Sequence, residues 1–136
     1  MLFRSKYIYD LDHTRFERQL IGHLPKQILQ DLAFTQVTDN SIFIPPGSMR
    51  HIQKKHSDYY EDYFYSIPSI VCSPEYYGLY PSKPNSIELV KKINDYILVG
   101  IKINSTNNLL VSSFYPVDKD KVAARIRKNR LKPYNP

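Results

Sequence analysis

Two imidazoles and two ammonium groups crowd into the six residues HIQKKH: His51, Lys54, Lys55 and His56. Charged and titratable groups so close together make poor core material. They suit two tasks, moving protons near neutral pH and holding a phosphate. The run IFIPPG from Ile42 precedes them, so a short apolar strand should end at Pro45 and Pro46, and a polar helix should open with Ser48 as its N-cap. On that helix His51 and Lys55 are four apart and share a face, with Lys54 beside them. His56 points about 140° away from His51 on a straight helix. Two readings of His56 stand side by side. It joins the chemistry if Ser57 and Asp58 break the helix, or it is a cation at a helix C-terminus. His13 and His23 lie in polar surroundings and read as surface or structural residues.

Length and composition bound what surrounds these groups. A chain of 136 residues with 42% apolar content forms one domain with a modest core. The longest apolar runs, such as YILVGI from Tyr96, fall short of the roughly 20 residues of a membrane span. Arg4, Lys6 and Asp10 interrupt the start before any apolar signal core develops, so the expected location is the cytoplasm. A lone Cys72 forms no intramolecular disulfide, and neither it nor the histidine spacing matches a zinc motif. No metal or other cofactor is expected.

The net charge is +6, and seven of the nineteen basic groups fall in the last eighteen residues. These are Lys119, Lys121, Arg125, Arg127, Lys128, Arg130 and Lys132. Such a cluster can bind phosphate backbones by counterion release, or it can be a solvated helix face. Twelve tyrosines add rings that can stack on bases or fill the edge of a core.

The elements that must position these groups can be read in order. A short strand near Lys6 to Leu11 and then a short helix are expected, followed by a helix in LPKQILQDLAF. Its Leu24, Ile28, Leu29 and Leu32 share one face, with Pro25 in the first turn. Residues 37–40 should be loop and 41–44 strand, with a further helical turn over 59–64. The proline-rich stretch from Ile67 to Asn85 reads as extended or turning, with Tyr76, Tyr77 and Tyr80 as loop aromatics. SIELVKKI, residues 86–93, fits helix by composition and strand by its Ile87, Leu89 and Ile93 spacing.

Residues 96–104 alternate cleanly, with Ile97, Val99, Ile101 and Ile103 on one face and Lys102 on the other. Residues 105–108 form a turn and 109–115 the returning strand. A four-residue turn pairs Asn104 with Leu109, which sets Lys102, Ser113 and Tyr115 on one face and buries Ser112 with Leu110 and Phe114. A five-residue turn would instead set Ser112 beside Lys102. The four-residue turn is the expected one, because it leaves Ile97, Val99, Ile101, Ile103, Leu110 and Phe114 together on the core face. A three-stranded antiparallel meander covered by helices is the simplest architecture. Asp118 then caps a last helix over 119–129, with Val122, Ala123 and Ile126 inward and the basic residues outward.

Taken in order, SIFIPPGSMRHIQKKH, IPSIVCSPEYY, NSIELVKKINDYILVGIKIN and LLVSSFYPVDKDKVAARI resemble the phage-associated barnase–EndoU–colicin–RelE-like nucleases. The likeness runs from about Gly22 to Lys132, leaving residues 1–21 as an N-terminal extension without an assignment. Its most specific parts are the HIxxKH of His51 to His56 and the SxY of Ser113 to Tyr115. The resemblance implies an α+β fold, with helices packed on a small antiparallel sheet, and SIELVKKI as strand. It further implies a metal-independent ribonuclease of phage, mobile-element or toxin context.

In that chemistry the RNA 2′-hydroxyl is the nucleophile, and the products are a 2′,3′-cyclic phosphate and a 5′-hydroxyl. His51 would be the acid or base, with His56 as candidate partner. Lys102 and Lys54 or Lys55 would hold the phosphate, and Ser113 and Tyr115 would donate to its oxygens, or Tyr115 would orient a base. Arg125, Arg127, Lys128 and Arg130 would bind RNA, with a tRNA as one candidate substrate and an immunity or antitoxin protein as a candidate partner. The rival reading is a non-catalytic RNA- or DNA-binding accessory protein of a phage or mobile element.

Overall fold

Strand propensity dominates the second half of the chain, where β-branched and aromatic residues alternate with polar ones. In the computed structural model, which describes residues 17–55 and 62–136, this half builds most of one seven-stranded mixed sheet. The strands are β1 (Gln19–His23), β2 (Ser41–Ile44), β3 (Tyr76–Leu79), β4 (Ser86–Lys92), β5 (Tyr96–Ile103), β6 (Leu109–Pro116) and β7 (Leu131–Pro133). Their order across the sheet is β1-β2-β6-β5-β4-β3-β7. The expected meander is its centre, β4, β5 and β6, all antiparallel. The sheet is larger than a meander because β3 and β7 extend one side, and β2 joins β6 in parallel on the other. The expected strand near Lys6 to Leu11 lies outside the described residues. Where a helix was expected before Ile21, residues 19–23 are strand β1, paired antiparallel with β2.

Among the described residues, three helices cover one face, here the inner face. They are α1 (Lys26–Asp31), α2 (Pro46–Lys55) and α3 (Ile67–Cys72), and a 3-10 turn over Phe64–Ser66 leads into α3. Ile28 and Leu29 of α1, Met49 and Ile52 of α2, and Ile67, Ile70 and Val71 of α3 are buried against Ile87, Leu89, Ile97, Val99, Ile101 and Phe114 of the sheet. Two helix starts differ from expectation for one physical reason. Proline lacks the N–H that the first helical turn leaves unpaired in any case. Thus α2 begins at Pro46, two residues before the expected cap at Ser48, and the Met49 N–H donates to the Pro45 carbonyl at 3.0 Å. Likewise Pro68 opens α3 where an extended segment was expected.

The outer face carries a second, smaller core. Helix α4 (Lys119–Arg127) lies there, and Val122 packs with Val90, Leu98, Val117 and Leu131. Asp118 occupies the N-cap position as expected, although its side chain makes no capping hydrogen bond. Ala123 is exposed rather than inward, and Ile126 is half-buried. Asn129, in the left-handed region at φ 59°, stops the helix, and the Arg130 N–H donates back to the Arg125 carbonyl at 2.9 Å. This turn directs the chain into β7. Among the described residues no helix is long and apolar enough to cross a membrane.

Candidate active site on the outer face of the sheet

The register of β5 and β6 decides which side chains can meet. Ile103 pairs with Leu109, so the turn holds five residues, Asn104 to Asn108, not four. Asn104 organises it: its side-chain carbonyl oxygen accepts from the Thr106 N–H at 3.0 Å and the Asn108 N–H at 2.9 Å. On a regular ladder this turn would set Ser112 beside Lys102. A β-bulge intervenes, since Ile101 pairs with Val111 while Gly100 pairs with Ser113, leaving Ser112 without a partner in the register. Ser113 and Tyr115 therefore share the outer face with Lys102, as expected, though by a different route. The expected burial of Ser112 is corrected, because it is exposed. Leu110 is half-buried on the outer face opposite Lys102.

The pairings continue across the sheet as rows on the outer face. One row runs Gly78, Glu88, Gly100, Ser113, and the next Tyr76, Val90, Leu98, Tyr115. A Cβ at Gly100 would overlap the Ser113 hydroxyl in the first row unless that hydroxyl rotated away. Glu88 is 2% exposed and takes a bidentate ion pair from Arg130, with Nε at 2.9 Å and Nη2 at 2.8 Å. The Arg130 guanidinium also lies 5.2 Å from the centre of the Tyr80 ring. Tyr115 is half-buried. Burial first, and the Glu88 carboxylate second, push its phenol above the ordinary tyrosine range, while Arg125 and Arg130 pull it back. It stays a protonated donor at neutral pH.

The outer face therefore gathers Lys102, Ser113 and Tyr115 of the expected set, together with Arg125 and Arg130. Arg125 corrects the expectation that the basic residues of the last helix point outward, because it is half-buried, as is Arg130 beyond the helix; Arg127 and Lys128 are exposed. Glu88 was not anticipated, whereas Tyr80 was expected as a loop aromatic and lies outside the strands. The signal for Glu88 was present, a lone carboxylate inside the apolar run Ile87, Leu89, Val90. Tyr76 and Tyr77, expected in a loop, lie on β3.

His51 and Lys54 are exposed on α2. That helix follows β2, whose pairing with β6 is confined to Ile42–Leu109 and Phe43–Leu110, and it packs against β6 itself. Met49 and Ile52 hold α2 on the inner face, whereas Lys102, Ser113 and Tyr115 stand on the outer face, so the expected grouping of His51 with them is not what the structure brings together. His56 lies outside the described residues, as does the side chain of Lys55. His23 is exposed at the end of β1.

Among the described residues no three His, Cys, Asp or Glu side chains come together as metal ligands. A cleft of about 560 Å³ lies at the β4–β5 turn, lined by Lys92, Asp95, Tyr96, Asp118 and Lys119, and carries none of the expected catalytic residues. What the outer face can do is hold an anion among cations and offer hydroxyl donors to its oxygens. No curated protein and no solved structure matches the chain. A family model does, over residues 18–124: phage-Barnase-EndoU-ColicinE5/D-RelE like nuclease3.

Proposed function

This chain belongs to that phage-related nuclease family, and we propose that it is an endoribonuclease that cuts RNA through attack of the 2′-hydroxyl, without a metal. What supports the reading is that Lys102, Ser113 and Tyr115 share one sheet face, with Arg125 and Arg130 on the Tyr115 side of it; the His51 helix packs on the other face of the same sheet. RNA supplies its own nucleophile, so the protein must supply proton transfer and charge. The proton carrier we assign is His51, an exposed imidazole on α2. Lys102 balances the charge of the phosphorane, and Ser113 and Tyr115 donate hydrogen bonds to its oxygens. The raised phenol suits Tyr115 to donation rather than to service as a base. Products are a 2′,3′-cyclic phosphate and a 5′-hydroxyl. The reaction belongs where cellular RNA is, in the cytoplasm, with tRNA a candidate substrate. A cell that makes such an enzyme needs an inhibitor protein.

The test is incubation of the protein with total RNA and with single-stranded DNA, both in EDTA. RNA should be cut to cyclic-phosphate ends and DNA left whole, because it lacks the 2′-hydroxyl. His51→Ala should lower the rate by about 10²- to 10⁴-fold, and Tyr115→Phe should lower it without loss of RNA binding. RNA bound but uncut, equally by wild type and by His51→Ala, would establish the non-catalytic binding reading in its place.

A further inference from the structure

Arg125 and Arg130 flank the same tyrosine, yet they are held in different ways. Arg130 is fixed from three sides. The left-handed Asn129 directs the chain, and the Arg130 carbonyl lies over Gly78, where a Cβ would overlap it. Its guanidinium is locked in the bidentate pair with Glu88. Glu88 is the only buried carboxylate among the described residues, and Arg130 occupies both of its oxygens. Arg125 has no such partner. Its Nη1 is buried and finds no hydrogen-bond acceptor among the described residues, although the side chain as a whole is half-buried rather than enclosed. Arg125 lies on α4 between Val122 and Ile126, which pack in one cluster with Val90, Leu98 and Tyr115, the row beside the one that carries Glu88, so Glu88 and Arg125 flank the same phenol.

A buried guanidinium donor calls for an acceptor. The forked, always-charged guanidinium matches the oxygens of a phosphate better than any other common anion but a carboxylate, and the nearby carboxylate is taken. We propose that Arg125 holds an RNA phosphate beside Tyr115, and that the Glu88–Arg130 pair keeps Arg125 available by saturating Glu88. The proposal rests on the reading of the chain as an RNA-cutting enzyme. It adds to it residues from beyond the family-matched segment, which ends at residue 124. Arg125 touches substrate, and Glu88 and Arg130 are positioning residues.

The experiment titrates a 2′-O-methyl RNA hexamer, which 2′-hydroxyl attack cannot cut, into the full chain at several salt concentrations. Arg125→Gln should weaken binding about 10-fold and reduce the salt dependence by about one phosphate contact. Arg125→Lys should fall between, keeping charge without the fork. Arg130→Gln should also weaken binding, because the released Glu88 then pairs with Arg125, and adding Glu88→Gln to it should restore affinity. A melting curve checks folding, and if Arg125→Gln fails to fold, Arg125→Lys decides. Unchanged affinity and salt slope in the folded Arg125 variant would overturn the proposal. Because the probe is uncleavable, the two readings fail separately. Wild type that binds through Arg125 yet leaves natural RNA whole loses the nuclease reading only. Wild type that cuts RNA, with Arg125→Gln binding as well, loses this proposal only.

Discussion

The two faces of the sheet are built from the same strands and differ in almost every other respect. On the inner face β4, β5 and β6 present Ile87, Leu89, Ile97, Val99, Ile101 and Phe114, all fully buried under α1 to α3. On the outer face the intervening positions carry Glu88, Gly100, Lys102, Ser113 and Tyr115. Alternation lets one strand serve two tasks, since neighbouring residues look in opposite directions. Phe114 and Tyr115 are adjacent in sequence and belong to different problems. The inner face supplies the burial that keeps the domain folded, and that leaves the outer face able to tolerate charge and small residues.

The sharpest way to break this division is to truncate the two neighbours. Phe114→Ala should cost about 3–5 kcal/mol through lost burial and a cavity, enough to threaten folding of a small domain. Tyr115→Phe should change stability by less than about 1 kcal/mol, since only a hydroxyl is lost. Urea titration of both variants measures the contrast, and equal destabilisation would dissolve the division.

Next in size is Glu88→Gln, which strands Arg130 without its partner. Breaking a buried pair costs about 3 kcal/mol, and somewhat less here because Arg130 is 23% exposed. Adding Arg130→Met should recover part of that loss in the double variant, again by urea titration; no recovery would mean the pair is not coupled.

The two glycines of the outer row give a finer comparison. At Gly78 a Cβ would meet the Arg130 backbone, and at Gly100 it would meet the Ser113 hydroxyl, which can rotate away. Gly78→Ala should therefore cost about 3 kcal/mol and Gly100→Ala about 1 kcal/mol. Gly100→Ala should still slow RNA cutting, because it displaces Ser113. Thermal melts and a cleavage assay read the two effects.

The smallest effect separates the faces by pH. Tyr77, on the inner side, donates to Asp31 Oδ2 at 2.6 Å, and that hydrogen bond, with burial, raises its phenol to about 12. Its unfolded value is near 10. The folded protein thus keeps a proton that the unfolded chain releases, so stability is held below pH 10 and falls between about 10 and 12. Tyr77→Phe should flatten that alkaline decline in melts followed from pH 9 to 12, at some cost in stability at neutral pH.

Much of the inner face was legible in the sequence because its signals are local. The alternation of residues 96–103 fixes a strand and its buried side, and Ile28 and Leu29 mark the buried stripe of α1, with Leu24 buried just before it. The outer face was legible only in part. Lys102, Ser113 and Tyr115 could be grouped by pairing two adjacent strands. Glu88 and Arg130 are 42 residues apart and meet only through β3 and β7. Those strands are short, and nothing in Tyr76–Leu79 or Leu131–Pro133 announces a partner far along the chain. Pro68 misled for a different reason, since a proline that ends a strand and one that begins a helix look the same until the next turn is seen.

The bulge at Ser112 has a consequence for how this strand tolerates change in length. A deletion within a central strand ordinarily swaps its two faces from that point on. Here Ser112 is a supernumerary letter. Without it, Leu110, Val111 and Ser113 would stand opposite Lys102, Ile101 and Gly100 in unbroken succession, with each side chain on the face it already occupies. The strand is thus one residue out of frame with itself, and the bulge is where the two frames are spliced. Removing Ser112 straightens the splice and leaves both messages readable, whereas removing Val111 or Phe114 garbles one of them.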